Sequence, residues 1–117
     1  MRLVLVLLGL ALLIGGAGAA TTDSGLYGVV RRGPTRPVCG VGPPCTAPAA
    51  GAVLVFWRRG HALARTRVHR NGSYRITLQS GSYGVSTIPR ALILPSRVRV
   101  TTDRFRHVDF AIDTGIR

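Results

Sequence analysis

The sequence predicts an all-β fold, a seven-stranded Greek-key sandwich, and three observations carry the prediction. Beyond residue 20 the chain alternates apolar and polar residues in pieces of about five to eight, turn signals recur about every ten residues, and no amphipathic helical period interrupts them. A single sheet could not bury all the apolar faces that this alternation creates. Each must meet the apolar face of a second sheet about 10 Å away.

One element precedes the sandwich. Met1-Arg2 is a minimal positive region, Leu3 to Ile14 is apolar apart from Gly9, and Gly15 to Ala20 is a run of small residues. That order is a secretory signal peptide's, with a helical apolar stretch. Ala17-Gly18-Ala19 meets the small-x-small requirement of the peptidase, so residues 1–19 are expected to be removed by cleavage after Ala19 or Ala20. A single domain over 20–117 remains, secreted or held at the cell envelope. The alternative is a retained signal anchor and a single-pass, membrane-tethered domain. The apolar run falls short of the roughly 20 residues that span a bilayer, but the small residues up to Ala20 bring it close. No cysteine near its end offers a lipoprotein acceptor.

In the mature chain, Gly25 to Arg32 is the first predicted strand. Gly33 to Pro48 is an irregular stretch stiffened by Pro34, Pro37, Pro43, Pro44 and Pro48, none of which has an amide donor. Ala52 to Trp57 is an almost unbroken apolar run that suits a central strand, turned by Arg58-Arg59-Gly60. His61 to His69 follows, with Ala62, Ala64, Thr66 and Val68 facing in. Asn71-Gly72 then predicts a two-residue type I′ hairpin, which needs positive φ at both positions. On the returning strand Tyr74, Ile76 and Leu78 face in, and Ser80-Gly81-Ser82 turns into Tyr83 to Thr87. A loop carrying Pro89 and Pro95 leads to Arg97 to Thr101, with Val98 and Val100 inward. Arg106 to Ile112 closes the fold with Val108, Phe110 and Ile112 on one face.

Cys39 and Cys45 are the only cysteines, and they flank Gly-Val-Gly-Pro-Pro behind a signal peptide. In an oxidising compartment a bridge between them is the default, contributing roughly 2 kcal/mol by the chain-entropy model. A redox pair would need a closer spacing and an activated thiolate.

The charge is lopsided: 16 Lys+Arg face 4 Asp+Glu for a formal +12, every base being Arg and every acid Asp. A Lys Schiff base, a P-loop Lys and a Glu general acid are thereby excluded. Loss of Arg2 with the leader leaves +11, which predicts attraction to anionic lipid headgroups, acidic wall polymers or nucleic acid. A compositional origin stands beside the functional one, because Arg in place of Lys with heavy Ala, Gly, Val and Pro use also follows from a GC-rich genome. Strand parity points Arg65, Arg67, Arg75, Arg97 and Arg99 outward. If their strands share a sheet or adjacent edges, these five form a cationic face for an anionic partner. Otherwise they are solvated side chains that blunt edge pairing. The aromatic interleaving that single-stranded nucleic acid needs is missing from the pattern.

No constellation carries catalysis. His61, His69 and His107 do not stand at metal-ligand spacing with another His, Cys or Asp. His107 and Asp109 share a strand face near Asp103, which reads as a solvated polar face. Ser80-Gly81-Ser82-Tyr83-Gly84 lacks the glycine and the strand-to-helix step of a nucleophile elbow, so it is a turn. Asn71-Gly72-Ser73 fits the glycosylation pattern, yet turn chemistry already accounts for it. The chain is therefore expected to be non-enzymatic, with no catalytic, metal or cofactor-binding residue.

Several segments together resemble a known group. They are Gly28 to Val30; Gly33-Pro34-Thr35 with Pro37-Val38-Cys39 and Pro44-Cys45; Asn71 to Leu78 with Gly81-Ser82-Tyr83; and the ending Asp113-Thr114-Gly115-Ile116-Arg117. The chain is similar in these to secreted bacterial proteins of the carboxypeptidase regulatory-like, transthyretin-like group. The resemblance implies a prealbumin-like sandwich acting as an accessory or adhesive module and not as a peptidase, whose zinc site belongs to a separate domain. The turn His69-Arg70-Asn71-Gly72 is not acidic, which argues against calcium there. The expectation is an exported binding module at the cell envelope, directed at a protein or an anionic envelope component. A purely structural domain with no ligand is the alternative.

Overall fold

Alternation places the residues of β1 (Gly25–Gly33) on two faces: Leu26, Gly28 and Val30 are buried while Tyr27, Val29 and Arg31 are exposed. The computed structural model describes residues 23–40, 42 and 45–116. The expected leader at 1–19 and its cleavage point lie outside the described residues, as do Pro43 and Pro44 of the proline loop. Among the described residues all regular structure is strand. After β1 come β2 (Ala47–Pro48), β3 (Val53–Arg58), β4 (His61–Arg67), β5 (Ser73–Thr77) and β6 (Gly81–Ile88). Then follow β7 (Leu92–Leu94), β8 (Arg97–Val100), β9 (Phe105–His107) and β10 (Phe110–Asp113).

Two sheets result. In the first, β1 pairs on one flank with β5 and then β2, both antiparallel, and on the other with β9 and then β10, both parallel. The edge beyond β10 is β7. The second sheet runs β4-β3-β6-β8 with every neighbour antiparallel. Their apolar faces meet in one core, with Leu26, Val30 and Phe110 from the first sheet against Leu54, Phe56 and Val85 from the second. Phe56 and Phe110 touch edge to face at 6.4 Å, and Phe110 also meets the Tyr74 ring at 5.5 Å. The fold is thus an all-β, two-sheet sandwich.

The turn chemistry falls elsewhere than expected. Arg59 (φ 53°) and Gly60 (φ 79°) both have positive φ between paired Arg58 and His61, so the type I′ turn joins β3 to β4. Arg59→Asn is expected to raise the melting temperature by about 4 °C, since Asn tolerates the left-handed region better than Arg. Asn71, by contrast, does not have positive φ. The Gly72 N–H donates to the His69 carbonyl (2.8 Å) and the His69 N–H to the Ser73 carbonyl (2.9 Å), a three-residue loop with a glycine bulge at φ 93°. The Asn71 side-chain oxygen accepts from the Ser73 amide at 3.0 Å. The chain beyond this turn splays: β4 joins the second sheet and β5 the first.

Four more segments differ. The proline loop contains the short pairing of β2 with β1, and the Pro89–Pro95 loop contains β7. The expected strand from Arg106 to Ile112 is broken at Val108 and Asp109. There the Asp109 carboxylate substitutes for a backbone acceptor by taking the Val29 N–H at 2.9 Å, while the Val108 N–H donates to the Tyr27 carbonyl at 2.9 Å. Finally, a register shift between Phe56 and Trp57 leaves Leu63 unpaired on β4, so Ala62 lies opposite Trp57 on the outer face instead of facing in.

Tyr74 spans this break. Its ladder partner is Gly28, and its phenol reaches past β1 to donate to the Val108 carbonyl at 2.6 Å. Burial, and next the charge of Asp109, hold that phenol well above the ordinary tyrosine range. The native state therefore keeps a proton that the unfolded chain releases near pH ~10, and stability present below that pH is lost as pH rises past it. Urea midpoints should stay level up to about pH 10 and then fall. Tyr74→Phe should be less stable by about 1 kcal/mol at neutral pH but decline less steeply above pH ~10.

Candidate functional site

The second sheet brings four of the five outward arginines onto one face. Leu54 and Phe56 point into the core from β3, so Val53, Val55 and Trp57 point out. Residues opposite one another in a ladder share a face. Arg67 lies opposite Val53, Arg65 opposite Val55, and Gly84, next across, stands between Trp57 and Arg97. Arg99 pairs with Ser82 one step further on. Arg65 and Arg67 thus lie on one edge strand, level with Val53 and Val55, and Arg97 and Arg99 on the other, level with and beyond Trp57, the two edge strands being roughly 14 Å apart across three inter-strand spacings of ~4.8 Å.

Arg75 is not among them. It sits on β5 in the first sheet, its guanidinium 3.7 Å from the centroid of the Phe105 ring. The reason is the splayed turn after β4, which sends the two strands expected to pair into different layers.

The middle of the arginine-edged face is apolar. Val55 is 3% exposed yet belongs to no part of the core between the sheets, so its cover comes from its outer-face neighbours. Trp57 is 39% exposed, and its indole Nε1–H donates to the Ser86 Oγ on β6 at 2.7 Å. That bond ties the ring to the neighbouring strand β6. Ile88, opposite Val53, extends the apolar floor. Trp57 was not singled out from the sequence, although its parity with Leu54 and Phe56 was readable there.

Among the described residues no carboxylate forms an ion pair with these four arginines. The Arg67 Nη1 donates to the Gly51 carbonyl at 3.1 Å and the Arg99 Nη1 to the Ser82 Oγ at 3.4 Å, both neutral acceptors. An ion pair, His107 Nε2 to Asp109 Oδ1 at 2.9 Å, is on the first sheet. There the His107 ring stacks on Tyr27 at 5.2 Å, and the same Asp109 oxygen holds the Val29 amide. That cluster fastens the strand break. Asp103 lies in the turn ahead of β9 with φ 62°. His61, His69 and His107 fall on separate elements, and among the described residues no group of three or more His, Cys, Asp or Glu could hold a metal.

Cys39 and Cys45 form the expected disulfide, with Cα atoms 5.6 Å apart, and the Thr35 N–H donates to the Cys45 carbonyl at 2.9 Å within the same loop. A disulfide accords with an oxidising environment. No helix of the described residues is long and apolar enough to cross a membrane. A separate groove of about 400 Å³ opens between the sheets beside Arg32, Ala49, Thr87, Arg90, Ile112 and Thr114, and no histidine or cysteine lines it. No protein-family model matches the chain, and no curated protein matches it.

Proposed function

We propose that the chain is an exported, non-enzymatic sandwich module of the carboxypeptidase regulatory-like, transthyretin-like kind, which binds an anionic partner at the cell envelope through the outer face of β4-β3-β6-β8. The observation that carries the binding role is the set of four arginines on that face with no carboxylate beside them. Strand order supports the family reading. Taking β9 and β10 as one interrupted strand and setting aside the short β2 and β7, seven strands remain, with the first and last side by side and parallel. The apolar leader and the disulfide support export.

A second reading draws on one specific observation: β4 and β8 are the two edges of their sheet. Arginines there also discourage edge-to-edge pairing, and a structural domain would need them for nothing else. Titration against polyacrylate at rising salt separates the two. Changing Arg65, Arg67, Arg97 and Arg99 together to Gln should abolish most of the affinity and lower the slope of log K against log salt by about 3 to 4. Changing Arg32, Arg70, Arg90 and Arg104 to Gln removes the same charge and should leave most of the affinity. Equal losses would overturn the face in favour of bulk charge and the structural reading.

A further inference from the structure

The groove between the two sheets is lined by inward-facing residues, and two of them are not core residues by chemistry. On β1, Leu26 and Val30 are fully buried, and the same alternation brings Arg32 to that inner side at the open end of the sandwich, opposite Ile112 of β10. On β6, Tyr83 and Val85 are buried and Thr87 is the next inward residue, opposite the fully buried Leu54. Arg32 and Thr87 thus line the groove from opposite sheets, and Arg90 lines it from the loop after β6. Ala49, Ala52, Ala91 and Ile112 give it apolar walls. The space of about 400 Å³ falls within the ~300 to 1,000 Å³ of ligand pockets. At the ~30 Å³ that a water takes in the liquid, it holds roughly a dozen non-hydrogen atoms.

Polarity changes from mouth to interior. Arg32 and Arg90 are exposed, so the mouth is cationic. Asp113 also lines it, with its Oδ1 accepting the Gly115 N–H at 2.8 Å, and one carboxylate against two guanidiniums leaves the mouth net positive. Thr87 lies further in, 4% exposed, and its Oγ1 is buried with no hydrogen-bond partner among the described residues. Ser24, a comparably buried hydroxyl, donates to the Leu78 carbonyl at 2.6 Å. Buried hydroxyls are nearly always paired in this way, because an unpaired one forfeits its hydration.

From this arrangement we infer that the groove binds a compact carboxylic acid, apolar in its middle and bearing a hydroxyl at its far end. The carboxylate lies between Arg32 and Arg90, and the body packs against Ala49, Ala52 and Ile112. The far hydroxyl meets Thr87, whose own hydroxyl turns toward the groove about its Cα–Cβ bond. A polyanion could meet the two arginines at the mouth but not the hydroxyl behind them. The groove shares no lining residue with the outer face of β4-β3-β6-β8, so the inference does not rest on the anionic-partner reading of that face.

The probe is 4-hydroxycinnamate, titrated into the isotope-labelled protein beside cinnamate, which lacks the hydroxyl, and 4-hydroxycinnamyl alcohol, which lacks the charge. 4-Hydroxycinnamate should bind saturably and shift the amide resonances of Thr87, Ala91 and Ile112. Thr87→Val, nearly the same shape without the hydroxyl, should weaken it about fivefold and leave cinnamate binding unchanged, whereas Thr87→Ser should bind it as the parent does. The valine variant should also melt about 4 °C higher, the sign expected when an unpaired buried hydroxyl is removed. Arg32→Gln with Arg90→Gln should weaken both acids about tenfold and leave the alcohol unchanged.

If Thr87→Val weakens both acids alike, or neither, the inference is overturned. An alcohol that binds as tightly as the acid overturns it as well, and so does the absence of any saturable shift up to about 5 mM. Shifts confined to the strands of Arg65 and Arg97 would place the acid on the outer face of the second sheet, overturning the groove while leaving the anionic-partner reading in place.

Discussion

Gly28→Ala is expected to cost more than about 3 kcal/mol of stability, enough to remove a large part of the net stability of a domain this size. A Cβ on Gly28 would run into the Val108 carbonyl and come within 2.7 Å of the Asp109 Oδ1. Neither obstacle is free to retreat. The Val108 carbonyl accepts from Tyr74, its amide donates to Tyr27, and Asp109 holds the Val29 amide. The added methyl must therefore push the strand break off β1 and disrupt three hydrogen bonds at once. Gly40→Ala is the matching control, because an added Cβ there meets nothing within 4 Å. Urea unfolding of the two variants should show a large drop in midpoint for the first and almost none for the second.

Phe56→Ala should destabilise by about 3 to 5 kcal/mol, through lost burial and the void left behind. Phe56 is fully buried on a central strand and meets Phe110 of the opposite sheet edge to face. Phe110 in turn leans on Tyr74, so the void opens beside the ring whose phenol holds the strand break of the first sheet. Phe56→Leu retains most of the volume and should cost less than half as much. For a domain of this length each kcal/mol moves the melting temperature by about 4 to 8 °C, so the alanine variant should melt at least 12 °C lower. Differential scanning calorimetry would check both values.

The positions of the strands were legible because period-two alternation is a local property. Tyr74 and Ile76, Val98 and Val100, and Phe110 and Ile112 all point inward as their spacing predicted. Partnership was not legible, because alternation tells a strand which way to face and not whom to face. His61–Arg67 and Ser73–Thr77 are joined by a tight turn that forms locally, yet they pair with β3 and β1 and not with each other. Arg75 left the expected cationic face for that reason alone. The type I′ turn was missed for another: Arg59 adopts φ 53° without the Asn or Gly that usually marks such a position, and the cross-strand pairing of β3 with β4 imposes it. Even the strand break at Val108 had no local signal, since Asp109 looks like any exposed polar residue until the Val29 amide is found beside it.

The placement of β1 between β5 and the β9–β10 segment has a consequence for the order in which the protein can assemble. Gly25 and Phe105 are direct neighbours, as are Gly33 and Asp113, so the central pairing of the first sheet joins residues some 80 positions apart. Contacts of such separation form late and slowly, because the entropy of closing the intervening chain is lost before they return anything. A chain emerging from the ribosome can build the β3–β4 hairpin early, but β1 has an unsatisfied flank until residues 105–113 are free to reach it. The first sheet therefore cannot complete its central pairing until the last tenth of the chain is available to it.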